Sequence, residues 1–189
     1  FTHVRDLVEF APDTRMDGAE ELVRAAGETG AHMHYCHVNS TSGRHVDRVL
    51  ALVDRVRRAG AIVTTEAYPY GAGMTEIKSA LFDDWQSWPD ARFAQHQLVS
   101  TGERLTRATF AKARDAGGTV IIHGRSEEQT RAAIASPLAM IASDGFIENG
   151  RGHPRTSGTY AKVLGKYVRE DKVVPLVDAI RRMTLEPAR

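Results

Sequence analysis

The sequence predicts an α/β fold built on a parallel sheet, and three observations carry that expectation. Helix-like and strand-like segments alternate along the chain, which is the rhythm of βαβ units. The segment at 61–67 is apolar and β-branched, as a strand buried on both faces is. Polar residues able to do chemistry recur where the strand-like segments end, the position at which parallel architectures place their sites.

In chain order, residues 19–28 read as a helix closed by Gly30, and residues 31–38 as a short strand. Asn39-Ser40-Thr41-Ser42-Gly43 reads as a loop opening a periodic helix with Val46, Val49, Leu50, Val53 and Val56 on one face, which Gly60 ends. The strand at 61–67 runs into Tyr68-Pro69-Tyr70-Gly71-Ala72-Gly73, a turn-forming run. Between 74 and 100 the rhythm breaks in a weakly periodic stretch that holds both tryptophans, Trp85 and Trp88. It reads as an excursion. A helix at 101–115, a strand at 119–123, a helix at 127–135 and a strand at 138–142 resume the alternation, the last ending in Ser143-Asp144-Gly145. A polar loop and two closing helices at 160–170 and 176–183 complete the reading. There is no low-complexity tract, and no repeat beyond the βα alternation.

The 189 residues suffice for one domain with a sizeable core. With 25 Lys and Arg against 24 Asp and Glu, the charge excess expected of a nucleic-acid or anionic-membrane binder is missing. A small-molecule partner is expected instead. The single cysteine, Cys36, cannot form an internal disulfide, and no apolar run reaches the roughly 18 residues of a membrane span. Both features predict a cytoplasmic protein. Phe1-Thr2-His3-Val4-Arg5-Asp6 reads as neither a signal peptide nor the start of a first element, so the chain is expected to begin in mid-domain.

The strand ends present His3, His37, Tyr70, His123 and Asp144, a set of the type a metal hydrolase needs: imidazoles as ligands and a carboxylate as base. Each alone reads as well as a hydrogen-bonded structural residue or a turn. His3 and His37 are 34 residues apart, about one βα unit, and not within the few residues of a local zinc motif. On spacing, both readings stay open.

Six short blocks in order give the chain a resemblance to a known family: Thr2-His3-Val4-Arg5-Asp6, Cys36-His37-Val38-Asn39-Ser40-Thr41, Tyr68-Pro69-Tyr70-Gly71-Ala72-Gly73, Ser143-Asp144-Gly145, His153-Pro154-Arg155-Thr156-Ser157-Gly158-Thr159 and Met183-Thr184-Leu185-Glu186-Pro187-Ala188. It resembles the D-aminoacylase (N-acyl-D-amino-acid deacylase) branch of the amidohydrolase superfamily. The resemblance implies a partial TIM (β/α)₈ barrel, strands five to eight, with a small α/β lid inserted between strands seven and eight. Residues 1–70 would then be barrel βα units, 71–135 the insertion, and 136–189 the last barrel strand and closing helices. It implies one or two Zn²⁺ ions held by His3 and His37, with Asp144 as general base, and hydrolysis of the amide bond of N-acyl-D-amino acids. Arg155 would grip the substrate carboxylate, with Tyr70 and Asn39 completing the binding set. Asn39 stands where many relatives carry lysine.

The family's His-x-His pair belongs to its first strand, so His32-Met33-His34, which shares a strand with His37, is not that motif. His123 falls in the insertion, and Cys36 is expected to point away from His37. Two other readings remain beside the deacylase: a cyclic amidohydrolase of the dihydroorotase or hydantoinase kind, and a non-catalytic half-barrel. A half-barrel acting alone would expose two strand edges, so self-association is a further expectation.

Overall fold

The structure, a computed structural model, describes residues 1–4 and 16–189; Arg5 and Asp6 of the first block lie outside the described residues. Helix α1 (Asp17–Thr29) ends at Gly30, whose φ of 69° supplies the left-handed cap. Strand β1 (Met33–Tyr35) follows, then a short helix α2 (Val38–Ser42) and the long helix α3 (Val46–Arg58). Strand β2 (Val63–Ala67) leads to β3 (Ala72–Glu76), a short helix α4 (Asp90–Phe93), β4 (His96–Leu98), α5 (Arg107–Ala116) and β5 (Thr119–His123). The chain continues through α6 (Glu127–Ala135), β6 (Ala139–Ile141), α7 (Arg155–Lys162) with a π-helical continuation Val163–Glu170, and α8 (Leu176–Met183).

The parallel sheet expected from the alternation is present, in the order β1-β2-β6. Thr2 adds a parallel bridge to Tyr35 outside β1, with its N–H donating to His34 O at 2.8 Å and its carbonyl accepting from Cys36 N at 3.1 Å. All these segments run the same way, so His3, His37 and Asp144 follow them on one rim. The helix face read from the sequence is buried as expected: Val46, Val49, Leu50 and Val53 enter the core against Leu22, Val23, Val63 and Ala67, with Val56 at its margin.

The excursion brings in β3 and β4, which flank β5 in a second, antiparallel sheet, so the strand at 119–123 does not resume the parallel alternation expected of it. This sheet has its own aromatic core of Phe82, Trp88, Phe93 and Phe110, closed by Ile77, Leu105 and Val120. Weak periodicity between 74 and 100 has a physical cause: turns and one short helix wrap around the rings, and no long element exists to show a repeat. Gly71 is needed where this sheet begins. A Cβ there would sit 2.4 Å from Arg125 O, and the close approach allows Arg125 N–H to donate to Gly71 O at 3.1 Å. Helix α6, grouped with the insertion at 71–135 on sequence, packs elsewhere: Ala133 and Ile134 lie in the core of the parallel sheet.

Three local expectations need correction, and the first is the helix expected from 101, which begins only at Arg107 behind its Thr106 cap. Asn39-Ser40-Thr41-Ser42 is helical and not a loop, because His37 turns the chain at φ 35° and Ser40 N–H donates back to His37 O at 2.8 Å. The helix expected from 160 begins at Arg155. Among the described residues no helix is long and apolar enough to cross a membrane.

Candidate metal-dependent hydrolase site

A cavity of about 290 Å³ opens on the rim of the parallel sheet, lined by His3, His37, Ser40, Tyr68, Asp144 and Arg155 from that layer. Gly73, Met74, Thr75, Ile122 and Arg125 border it from the antiparallel sheet. His3 lies one residue beyond the Thr2 bridge and His37 two beyond β1. Adjacent parallel strands lie about 4.8 Å apart, and the imidazoles meet accordingly, edge to face with centroids 4.6 Å apart.

His37 and Asp144 are two of the four described non-glycine residues with positive φ, at 35° and 48°. Such a conformation costs on the order of 1–3 kcal/mol, and it recurs at functional positions because it aims a side chain where a regular strand would not. At His37 the backbone N–H donates to Glu66 Oε1 at 2.7 Å. A hydrogen bond to a charged acceptor contributes about 1.5–3 kcal/mol, enough to offset the strain. At Asp144 the neighbouring glycine does the work. A Cβ on Gly145 would stand 2.5 Å from Thr156 Cα, so only glycine lets the start of α7 close in behind the aspartate.

Ser40 Oγ lies 2.8 Å from His37 Nδ1. With Nδ1–H donating to that hydroxyl, the lone pair is on Nε2, the arrangement that ligation through Nε2 requires. Burial lowers the His37 pKa and the neighbouring His3 adds to this, against an opposing pull from Asp144. The neutral imidazole is the form favoured, and it is the form that ligates.

Arg155, the first residue of α7, is 1% exposed. Its Nη1 lies 2.9 Å from Asp144 Oδ2, its Cζ stands 4.5 Å above the Tyr68 ring, and Nη2 reaches Met74 O at 3.5 Å. The contact with Asp144 has the distance of an ion pair without the alignment of a hydrogen bond, and Nε has no hydrogen-bond partner among the described residues. A buried guanidinium with donors unspent is costly unless a further acceptor arrives.

Two residues expected in the binding set stand elsewhere. Asn39 is 2% exposed, and its amide is spent on the backbone of Tyr68: Nδ2 donates to Tyr68 O at 2.9 Å, and Oδ1 accepts from Tyr68 N at 3.4 Å. It does not border the cavity. Tyr70 packs at right angles on His153, 5.3 Å between centroids, with Lys162 Nζ 4.4 Å from its ring centre. The ring that does border the cavity is Tyr68, which the sequence reading passed over. It was discoverable, since Thr64, Glu66 and Tyr68 share the period-two phase of β2; a tight turn, with Tyr70 N–H on Tyr68 O at 3.0 Å, then ends that alternation. Arg125 and Ser40 were also missed. Cys36 is free and buried, and neither it nor His123, bound through Nε2 to Gln97 Oε1 at 3.0 Å, borders the cavity.

Comparison with solved structures defines the class. A D-aminoacylase, whose crystal structure defines a subset of amidohydrolases, superposes on 99% of this chain with a TM-score of 0.74 at 24% identity, over 40% of its own length. The N-acyl-D-glutamate deacylase of Bordetella bronchiseptica, solved with zinc and a phosphonate mimic of the tetrahedral intermediate, superposes on 99% with a TM-score of 0.80 at 25% identity, over 41% of its length. The fold is thus the α/β fold of these amidohydrolases. In sequence, the chain is 30% identical over 203 residues to the N-acyl-D-glutamate deacylase of Alcaligenes xylosoxydans xylosoxydans, matching along all of this chain and 40% of that protein. No family model matches. The chain is thus similar along its whole length to an N-acyl-D-amino-acid deacylase, and it spans about 40% of the length of that relative.

Proposed function

We propose that this chain forms strands five to eight of a (β/α)₈ barrel, with the antiparallel sheet as a lid over its rim, in a zinc-dependent enzyme that hydrolyses N-acyl-D-amino acids. The single observation that carries the reading is the convergence of His3, His37, Asp144 and Arg155 on one cavity.

The donor set fits a metal in part. Two imidazoles meet at the rim, and one has its Nδ1 already engaged by a hydroxyl. Among the described residues no group of three or more His, Cys, Asp or Glu gathers as a complete set, so His3 and His37 supply part of the coordination. When bound, zinc supplies Lewis acidity towards a carbonyl oxygen and makes water a better nucleophile at neutral pH. Asp144 takes up the proton released from water at its carboxylate and returns it to the leaving amine. Arg155 offers the unspent donors of its guanidinium to the free carboxylate that every N-acyl amino acid carries, with the Tyr68 ring centre 4.5 Å from its Cζ. The relatives in sequence are N-acyl-D-amino-acid deacylases, and nothing among the described residues of the cavity favours a cyclic amide instead.

The test is a zinc determination on the purified full-length enzyme, followed by an assay of acetate release from N-acetyl-D- and N-acetyl-L-amino acids. Stoichiometric zinc and turnover of the D series are expected. Failure to retain zinc, or equal turnover of N-acetyl-amino-acid amides, overturns the reading.

A further inference from the structure

A second cavity, of about 480 Å³, is lined by His32, His34, Thr64 and Glu66, and these residues of β1, β2 and the approach to β1 form a continuous polar chain. His32 Nε2 and His34 Nδ1 both meet Thr64 Oγ1, at 2.9 and 2.7 Å. His34 Nε2 pairs with Glu66 Oε2, and Glu66 Oε1 accepts the backbone N–H of His37 at 2.7 Å. The side chains of His34 and Glu66 are each 12% exposed. Both carboxylate oxygens of Glu66 are therefore engaged, one by a side chain of the neighbouring strand and one by the backbone of the residue that enters the cavity.

We propose that Glu66 is a positioning residue for His37: anchored by His34, its carboxylate holds the left-handed turn at His37 and so fixes the direction from which the imidazole enters the cavity. A pair that only neutralised its own burial would need neither a backbone donor nor a left-handed residue at the end of that bond. Glycine would adopt φ 35° without restraint, but glycine cannot offer an imidazole. A histidine placed there needs its peptide held, and the ring is then fixed from two sides, through the backbone by Glu66 and through Nδ1 by Ser40.

The inference rests on the reading of His37 as a metal ligand, and the experiment separates the two. Zinc affinity of native protein, Glu66→Gln and Glu66→Ala is measured by competition with a chromogenic chelator, and the backbone amide and ring nitrogens of His37 are followed by NMR in metal-free protein. Glu66→Ala is expected to weaken zinc binding about 10- to 100-fold, the usual loss when a residue supporting a ligand is removed, and to move the His37 amide proton upfield. Glu66→Gln keeps an oxygen acceptor and should retain most of both signals. If Glu66→Ala does not fold, His34→Ala carries the test, since it frees the anchor and should shift His37 in the same direction by less. Unchanged His37 resonances in a folded Glu66→Ala or His34→Ala protein, with altered thermal stability alone, overturn the proposal. Native protein that binds no zinc overturns the functional reading, while the metal-free His37 spectra still decide the positioning.

Discussion

His3 and His37 are 34 residues apart in sequence, yet their rings meet edge to face at 4.6 Å. The parallel bridge between Thr2 and Tyr35 brings this about, by setting two chain segments side by side immediately before the two histidines. If the pair supplies two imidazoles to one zinc ion, replacing either should cost more than loss of a supporting residue does. Chelator competition is expected to show affinity falling by more than about 100-fold in His37→Ala and in His3→Ala. A variant that holds zinc as native protein does would remove that histidine from the coordination set.

Arg155 contacts Asp144 at 2.9 Å, so its loss should not act on substrate binding alone. Removing one charged hydrogen bond costs about 1.5–3 kcal/mol, or about 10- to 150-fold. Arg155→Ala is expected to lower kcat/KM by that order, with the larger part in KM for substrates bearing a free carboxylate. Lysine should recover little, because a point charge cannot reproduce the two-pronged contact. The decisive comparison is the corresponding carboxamide substrate, on which native protein and Arg155→Ala should differ far less.

Much of this site was legible in the sequence. Strand-end position picked out His3, His37 and Asp144, since a parallel sheet brings those ends together whatever the intervening helices contain. The helix face of Val46, Val49, Leu50 and Val53 was legible for the same reason, a period that packing must respect. The placement of Asn39 and Tyr70 was not legible, because the backbone leaves regular structure there. A left-handed residue at 37 rotates the next turn inward, so that Asn39 faces the Tyr68 backbone. A tight turn after Tyr68 swings Tyr70 away to His153. Neither dihedral is written in residue type. Glu66 and Ser40 were illegible because their role is to hold His37, and no spacing rule announces a supporting contact.

His153 should make stability depend on acidity. It is 4% exposed, and its Nδ1 accepts the backbone N–H of Arg155 at 2.9 Å, a bond the protonated ring cannot keep. Burial first, then the positive charge of Arg155 and smaller contributions from His123, Lys162 and Arg125, push its pKa from 6.5 to about 4. The folded protein thus stays neutral at this ring where the unfolded chain takes a proton. The consequence is stability that is complete above about pH 6.5 and lost as pH falls towards 4, by up to about 3 kcal/mol. Urea midpoints measured between pH 7 and 4 should show this loss, and His153→Asn, which retains an acceptor but cannot titrate, should flatten it. An equal acid slope in the variant would assign the loss to other groups.

Arg182 is expected to be the costliest single side chain to remove outside the apolar core. It is 1% exposed, on α8, and donates through Nε to Ala139 O at 2.6 Å and through Nη1 to Ile134 O at 2.8 Å. Those carbonyls belong to the last turn of α6 and the first residue of β6, so one guanidinium ties three elements together just before the strand that carries Asp144 to the rim. Burial lowers its pKa to about 10, still high enough for it to be charged at neutral pH. Replacing it with methionine fills much of the volume but strands two buried carbonyls, each at about 1–3 kcal/mol. Arg182→Met should therefore lose about 2–6 kcal/mol in urea unfolding, and Arg182→Lys, which can serve one carbonyl but not both in the same geometry, should fall between. Because β6 leads directly to Asp144, the methionine variant is also expected to blur the amide resonances of residues 142–145 in the folded state. A loss below about 1 kcal/mol would show that the two carbonyls find other donors when the guanidinium is gone.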